Sequence, residues 1–243
     1  MQSNKDFWLK STPIAHRGLW GGEIKENSLA AYSAAVQHGF AIEIDLYTST
    51  DGVIFSFHDK NLKRMTGFDG LIYEQTSTVI NSLTLNGSDQ KIPTLDEVLS
   101  LVDGRVPLLI ELKDQPDKSY VDKVVDALKS YKGEFAVQSF NPLYIKKVKK
   151  LAPEFTRGIL GTNLKAHASG AFTRFIVKRM PLNFIVKPHF ISYYHLGFPL
   201  PKRKVKDKIL LAWTIKSQQN ANTALNFADN IIFEEFIPNK KIN

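Results

Sequence analysis

The feature that most constrains the fold is the alternation of short apolar strands with amphipathic helices along the whole chain. About eight strand–helix units follow one another in 243 residues. A barrel of eight parallel strands, each followed by a helix, needs about 250 residues and this order of elements. The sequence therefore predicts an α/β protein, a (β/α)8 TIM barrel, with residues 1–243 forming a single domain. A doubly wound open sheet is the alternative, but no glycine-rich phosphate loop supports it.

The predicted elements follow the periodicity of the apolar residues. Strands are predicted at 13–16, 41–46, 53–57, 107–113, 135–139, 155–160, near 184–186, at 209–214 and at 230–233, and helices at 27–38, 95–102, 120–131, 142–151, 168–179 and 218–227. Between residues 60 and 91 the regular pattern is lost, and Gly, Asn and Ser interrupt the chain. We expect this segment to be a small insertion subdomain after the second strand region.

Two acidic residues stand in the predicted strand at 41–46, which is otherwise apolar. Residues two apart in a strand face the same side, so Glu43 and Asp45 should point together. Two buried carboxylates repel each other and lose hydration, and they need a cation to compensate. The Asp51-Gly52 pair predicts a tight hairpin whose return strand brings His58 next to the acids. This pattern indicates a metal-dependent active site.

A second polar pair stands on the predicted strand at 107–113. Glu111 and Lys113 lie two residues apart on one face of that strand. In TIM barrels the active site forms at the carboxyl ends of the strands, and His16 and Trp213 also fall near predicted strand ends. We therefore expect these side chains to belong to one site.

An ordered set of short motifs runs from residue 14 to residue 214. The set comprises His16-Arg17-Gly18, Glu26-Asn27, Glu43-Ile44-Asp45, Thr50-Asp51-Gly52, His58-Asp59, Arg64-Met65-Thr66-Gly67, Ile92-Pro93-Thr94-Leu95, Glu111-Leu112-Lys113, Gln138-Ser139-Phe140 and Trp213-Thr214. Together they resemble the glycerophosphodiester phosphodiesterase family, least well between residues 165 and 201. The resemblance implies a TIM barrel with a small insertion within residues 60–91. It also implies hydrolysis of a glycerophosphodiester to glycerol 3-phosphate and an alcohol, with a divalent metal.

The residue types agree with this chemistry. Glu43, Asp45 and Glu111 offer only oxygen ligands, which favours Mg²⁺ or Ca²⁺. Three carboxylates and one divalent cation still sum to a negative charge, which would repel a phosphodiester. Arg17 and Lys113 offset it, and we expect both to bind the phosphate. Alternatively, Arg17 bridges the acids and Lys113 pairs with Glu111.

Two histidines are candidates for proton transfer near neutral pH. His16 and His58 have intrinsic pKa values near ~6.5, which suits a general acid and a general base, and the sequence leaves their order open. Trp213 is predicted to form a floor for the glycerol moiety, although core packing is its default role. Glu26 is expected to border the site, and Asn27 is interpreted as a helix-start residue, with Asn27 or Ser28 as the N-cap.

Two routes of hydrolysis remain open. In the favoured one, a metal polarises both the phosphate and a glycerol hydroxyl, and that hydroxyl attacks to form a cyclic phosphate. In the other, metal-bound water attacks the phosphorus directly.

Charge and composition limit the classes of molecule that the protein can bind. Between Lys165 and Lys208 there are ten Lys and Arg and one acid, whereas the rest of the chain carries 22 bases and 23 acids. A solvated face is the default interpretation of this basic segment; because aromatic residues interleave it, a peripheral membrane contact is the second interpretation, and no nucleic-acid partner is expected. The chain has no Cys, which excludes thiolate sites and disulfides.

Three further expectations concern location and rival functions. Residues 1–10 show no signal-peptide pattern, so the sequence predicts a cytoplasmic protein acting on small molecules; it does not indicate an oligomeric state. The first rival function is phospholipase D-like hydrolysis of lysophospholipids at a membrane surface. The second rival is a catalytically silent barrel that acts as a binding protein. Loss of one of the two histidines or of a metal-binding carboxylate would have suggested this rival.

Overall fold

The computed structural model of the chain describes residues 8–163 and 183–239. The strands in these ranges are β1 (Ile14–His16), β2 (Ala41–Thr48), β3 (Ile54–Ser56), β4 (Leu108–Leu112), β5 (Phe135–Ser139), β6 (Arg157–Gly161), β7 (Phe190–Tyr194), β8 (Ile209–Ile215) and β9 (Asn230–Phe233). The α-helices are α1 (Trp8–Ser11), α2 (Leu29–His38), α3 (Lys63–Thr66), α4 (Ser77–Ser82), α5 (Leu95–Val102), α6 (Tyr120–Lys129), α7 (Pro142–Leu151), α8 (Asn183–Val186), α9 (Lys202–Val205) and α10 (Gln218–Ala224). Short 3₁₀ helices occupy Ile72–Glu74 and His195–Gly197.

The chain divides into two compact units. Residues 17–134 form what we call the continuous unit, and residues 1–16 with 135–243 form the split unit. Among its described residues, the split unit has six strands, which pair in the order β1-β9-β8-β7-β6-β5, and every neighbouring pair is parallel. In this unit the buried side chain of Asn230 donates to the carbonyls of Leu9 and Thr12, at 3.0 and 2.7 Å, and so ties α1 to β9.

The continuous unit is organised around β2. This strand pairs in parallel with β4 on one side and antiparallel with β3 on the other. The register with β4 sets Asp45 opposite Glu111, and the register with β3 sets Leu46 opposite Ser56. All eight residues of β2 are buried, so the two acids of the strand are held within the protein interior. The antiparallel pairing of β2 with β3 confirms the predicted hairpin at Asp51-Gly52.

Side-chain caps define the helices that flank β2. Ser28 is the N-cap of α2 and accepts a hydrogen bond from the backbone of Ala31. Thr94 and Glu97 form a reciprocal capping box at the start of α5. Each cap satisfies backbone N–H groups that the first helical turn leaves without an intrahelical partner.

The segment 60–91 adds its own buried side chains to a local core. It contains α3, α4 and the first 3₁₀ helix. The cluster comprises Tyr47, Phe55, Phe57, Leu62, Ile72, Ile80, Leu85 and Ile92. The segment thus packs on the β2–β3 hairpin; its status as an insertion, and the single-domain description of the chain, stay predictions.

One predicted strand is wrong. Residues Asn183–Val186 form the short helix α8, and the strand lies instead at Phe190–Tyr194. A run of three apolar residues, Phe184 to Val186, cannot distinguish a helical turn from a strand by periodicity, whereas 190–194 is rich in aromatic residues that favour strands. The helix predicted at 168–179 lies outside the described residues. Within the described ranges, no helix combines the length and apolarity that a membrane span requires.

Candidate active site

Three carboxylates converge in the continuous unit. Glu43 and Asp45 project from β2 and Glu111 from β4, and one oxygen of each lies within 4.8 Å of the others. The convergence follows from the strand period of two within β2 and from the β2–β4 register, which sets Asp45 opposite Glu111. Glu43 and Asp45 are each 1% exposed and Glu111 is 8% exposed. This all-oxygen set fits a hard divalent cation such as Mg²⁺ or Ca²⁺, and the predicted ligands are brought together.

The cluster is electrostatically costly without a cation. Burial, followed by the negative charges of Asp45 and Glu111, raises the pKa of Glu43 well above its ordinary value. Burial likewise raises the pKa of Glu111, although Lys113 opposes the shift. Because like charges and desolvation both disfavour the ionised forms, a bound cation would relieve the two penalties together.

Two cations already lie against the acids. Lys113 Nζ is 2.9 Å from Glu111 Oε1 and 3.3 Å from Asp45 Oδ1. Arg17 Nη1 donates to Glu26 Oε1 at 2.9 Å, and its Nε lies 3.6 Å from Asp45 Oδ2. The bridging roles that the sequence analysis offers as alternatives are therefore confirmed for both side chains, and the border position of Glu26 is confirmed as well. Their binding of phosphate stays a prediction.

Asn27 contacts the acidic cluster directly. Its Nδ2 donates to Asp45 Oδ2 at 3.0 Å, and its Oδ1 accepts from the buried hydroxyl of Tyr32 at 2.8 Å. The interpretation of Asn27 as a helix-start residue is wrong, because Ser28 provides the cap. The donor from Tyr32 orients the amide so that its NH₂ group faces the carboxylate.

The loop after β1 adopts a left-handed backbone. Arg17 has φ 59° and Gly18 has φ 81°. This conformation directs the backbone N–H of Arg17 to Glu43 Oε2 at 3.1 Å. A Cβ added at Gly18 would lie 2.8 Å from the backbone carbon of Ala31, closer than real Cβ atoms approach. Glycine at position 18 is therefore required by both conformation and space.

Replacing Gly18 with Ala is expected to lower the free energy of unfolding by more than about 2 kcal/mol. A left-handed backbone alone costs a non-glycine residue about 1–2 kcal/mol, and the contact with Ala31 adds to it. Gly22→Ala is the matched control, since Gly22 has φ 58° and nothing within 4 Å of its added Cβ. Urea unfolding of both variants measures the difference, and equal losses would contradict the steric argument.

His58 follows β3 and is paired with a carboxylate. Its Nδ1 lies 2.7 Å from Asp59 Oδ1, and its side chain is 30% exposed. Burial, followed by the positive charge of Lys113, lowers the pKa of His58 to about 4 despite the opposing charge of Asp45. The ring is therefore neutral at pH 7, and with its proton on Nδ1 it offers Nε2 as a proton acceptor.

His16 and Trp213 lie in the split unit. His16 Nδ1 is 2.5 Å from Glu234 Oε2, and Lys216 Nζ lies 2.8 Å from Glu234 Oε1. Burial opposes ionisation of Glu234, but the hydrogen bonds and charges of His16 and Lys216 outweigh it and lower its pKa to about 2. Sequence reasoning missed Glu234, which lies 218 residues from His16. Only its place after the terminal strand could have drawn attention to it.

Trp213 packs among aromatic side chains at the end of β8. Its ring meets Phe140 and Tyr194 edge to face, with centroids 5.7 and 5.6 Å apart, and 9% of the residue is exposed. This packing is the default role expected from the sequence. The contact of Trp213 with a glycerol moiety stays a prediction.

Comparisons with known proteins identify the family of the chain. The model of the "Glycerophosphoryl diester phosphodiesterase family" matches residues 16–197. A glycerophosphodiester phosphodiesterase of Caldanaerobacter subterraneus is 31% identical over 166 residues, which is 63% of this chain and 67% of that protein. Human lysophospholipase D GDPD1 is 32% identical over 146 residues, which is 55% of this chain and 45% of that protein. The chain thus spans about two thirds of the bacterial relative and under half of the human one.

A solved structure extends the likeness to nearly the whole chain. The phosphodiesterase of Oleispira antarctica, determined in complex with its product sn-glycerol-3-phosphate, superposes with a TM-score of 0.77 at 26% identity and covers 94% of each chain. The predicted (β/α)8 TIM-barrel fold is thereby confirmed. The family match extends over most of the chain and includes the three carboxylates, Arg17, His58 and Lys113. The chain is therefore a TIM-barrel enzyme of the glycerophosphoryl diester phosphodiesterase family.

Proposed function

We propose that this enzyme hydrolyses small glycerophosphodiesters to glycerol 3-phosphate and an alcohol, with a divalent cation bound by Glu43, Asp45 and Glu111. The observation that carries the proposal is the buried convergence of these three carboxylates in a chain of this family. The product complex of the Oleispira antarctica relative supports the choice of substrate class.

The charges in the continuous unit suit an anionic substrate. Three carboxylates and a divalent cation leave one negative charge, which Lys113 offsets, while Arg17 is balanced by Glu26. Bound at the cluster, Mg²⁺ or Ca²⁺ would supply Lewis-acid polarisation of a phosphate oxygen. Arg17 offers a planar fork for two phosphate oxygens, whereas Lys113 acts as a point charge, so Arg17 is the orienting group of the pair.

The two histidines divide the proton transfers between them. His58 is neutral at pH 7, so its Nε2 takes the proton from the attacking hydroxyl. Nδ1 of His16 lies 2.5 Å from Glu234 Oε2, and a carboxylate partner favours the imidazolium form of a histidine, so His16 is the group assigned to protonate the departing alkoxide. The bond from phosphorus to the leaving oxygen breaks as that oxygen is protonated.

The attacking hydroxyl belongs to the glycerol moiety, and attack yields a cyclic glycerophosphate that water then opens. Direct attack by water is the alternative. Detection of the cyclic ester by ³¹P NMR during turnover would support the first route. Cleavage of a substrate that lacks the neighbouring hydroxyl, at an undiminished rate, would contradict it.

The activity is tested by release of glycerol 3-phosphate from glycerophosphocholine and glycerophosphoethanolamine. Reactions with Mg²⁺, with Ca²⁺ and with EDTA are compared. We expect product with at least one of the two cations and none with EDTA. No product under any condition would refute the proposed function and leave the lysophospholipid and binding-protein alternatives.

A second candidate substrate class is the lysophospholipids, favoured by the 32% identity to human lysophospholipase D. Choline release from lysophosphatidylcholine tests it, with glycerophosphocholine as the reference substrate. A peripheral membrane contact through residues 165–208 stays a prediction that belongs with this alternative. Sedimentation with anionic liposomes at low salt examines it, and an absence of binding would remove its main support.

Cation binding is expected to raise the unfolding temperature and to release protons. At 100 times its dissociation constant, a ligand that binds only the folded state adds about 2.7 kcal/mol of stability. Because burial and the neighbouring acids raise the pKa of Glu43, metal-free Glu43 keeps its proton to higher pH than an ordinary glutamate does, and cation binding favours release of that proton. Calorimetric titrations with Mg²⁺ in two buffers of different ionisation enthalpy measure the release. A binding enthalpy independent of buffer would contradict it.

A further inference from the structure

A continuous chain of contacts connects His58 with Arg17 through three other charged side chains. Asp59 binds Nδ1 of His58 through one oxygen at 2.7 Å and Arg64 Nε through the other at 2.5 Å. Arg64 Nη2 donates in turn to Glu26 Oε1 at 2.5 Å, and Arg17 Nη1 donates to the same oxygen at 2.9 Å. All five residues belong to the continuous unit.

Arg64 is the branch point of this chain. It comes from α3, within the segment 60–91, and not from a barrel strand. Its guanidinium uses three nitrogens on two carboxylates, Asp59 and Glu26, with Nη1 3.3 Å from Glu26 Oε2. Such forked contacts fix orientation as well as charge, and a lysine could not reproduce them. Although the side chain is 48% exposed, its geometry is therefore determined by both acids.

The negative charge of Asp59 determines which ring nitrogen of His58 carries the proton. Burial opposes ionisation of Asp59, but the hydrogen bonds from His58 and Arg64 outweigh it and lower the pKa of the carboxyl. Asp59 is thus a charged acceptor that holds the proton of the His58 ring on Nδ1. Without that acceptor, neutral imidazole distributes its proton between both nitrogens, and the ring loses a fixed orientation.

We propose that Arg64 is a positioning residue of the active site, which acts through Asp59 to present Nε2 of His58 and through Glu26 to align Arg17 for the phosphate. The proposal rests on the proposed function for the roles of His58 and Arg17. The segment 60–91 would then contribute to catalysis, since its helix α3 supplies Arg64, which links His58 with Arg17. Arg64 itself needs no contact with the substrate.

Steady-state kinetics of Arg64→Ala test the proposal against Lys63→Ala. Lys63 precedes Arg64 on α3 and pairs only with exposed Asp69 among the contacts described, at 2.8 Å, so it is a matched control for loss of a charge on this helix. We expect kcat of Arg64→Ala to fall about 10- to 100-fold, the range seen when a supporting partner of a site residue is removed. KM should rise less, and Lys63→Ala should match the wild type. Arg64→Lys should recover part of kcat, because it restores the charge without the fork.

A double-mutant cycle separates positioning from a structural effect. If Arg64 acts on proton transfer through His58, the loss of kcat on Arg64→Ala should be much smaller in a His58→Ala background. Equal losses in both backgrounds, or equal losses for Arg64→Ala and Lys63→Ala, would overturn the proposal.

Imidazole ¹⁵N NMR provides a readout that does not depend on activity. The wild-type His58 ring should show the Nδ1–H tautomer at pH 7, and Arg64→Ala should shift it toward a mixture with the Nε2–H form. An unchanged tautomer in Arg64→Ala overturns the positioning role even if the enzyme is active. A changed tautomer in a protein that hydrolyses no glycerophosphodiester would instead uphold the positioning geometry and refute the proposed function.

Discussion

Glu43→Gln is expected to abolish metal-dependent hydrolysis while it makes the metal-free protein more stable. Loss of an outer partner of a metal ligand typically costs 10- to 100-fold, so loss of a ligand should cost at least about 10²-fold in kcat/KM. The free energy of unfolding of the metal-free protein should rise. A neutral amide at this position does not repel Asp45, and its burial does not require desolvation of a charge. We expect a gain on the order of 1 kcal/mol without metal.

The pH dependence provides a further check on Glu43. Its pKa is raised in the folded protein above the ordinary value of 4.5, so the folded state binds more protons than the unfolded state between those two values. The resulting stabilisation is fully present below pH 4.5 and is lost as the pH rises through the folded pKa. Glu43→Gln should remove this part of the pH dependence.

Urea unfolding with and without Mg²⁺ measures these effects. Glu74→Gln is the matched control, since Glu74 is an exposed acid of the same unit and the change is chemically identical. The wild type and the control should gain stability from the cation, whereas Glu43→Gln should gain little. A variant that is less stable than the wild type without metal would contradict the electrostatic description of the cluster.

His58→Ala is expected to reduce kcat by about 10²- to 10⁴-fold, the usual contribution of a general acid or base. KM should change much less, because the proposed role of the ring is proton transfer, whereas Arg17 and Lys113 are the groups proposed to bind the phosphate. His38→Ala is the control: that ring is exposed, its Nδ1 lies 2.9 Å from the carbonyl of Ala34, and it stacks on Phe40 with ring centroids 6.1 Å apart. Activity of His58→Ala within tenfold of the wild type would exclude it as the base.

The pH profile distinguishes a half-buried, neutral histidine from an ordinary one. A typical histidine titrates near pH 6.5, but the pKa of His58 is lowered to about 4. A base must be unprotonated to act, so kcat/KM of the wild type should stay level as the pH falls from 7 to about 5 and decline only below that. A bound cation would lower the pKa of His58 further and so shift the decline in the same direction. A decline centred near pH 6.5 would contradict the assignment of His58 as the base.

Local patterns in the sequence predict much of this protein. The alternation of strand and helix leads to the barrel, and the bounds of α5, α7, β5 and β9 agree with the structure to the residue. The pairing of Glu43 with Asp45 on one face follows from the strand period of two. The capping box at Thr94 is equally local, since it joins residues three apart. Each of these features depends only on neighbours in the chain.

The tertiary structure alone decides which distant groups meet. Strand register sets Asp45 opposite Glu111, and the course of the chain brings Arg64 to Glu26, 38 residues away, and Glu234 to His16, 218 residues away. The amide of Asn27 turns to Asp45 because a buried tyrosine hydroxyl occupies its oxygen. Ion pairs and hydrogen bonds between distant residues produce no periodic pattern in the sequence. They require only that the folded chain brings two groups within about 3 Å of each other. The grouping of the three carboxylates could thus be predicted from the sequence, whereas the contacts that orient them required the fold.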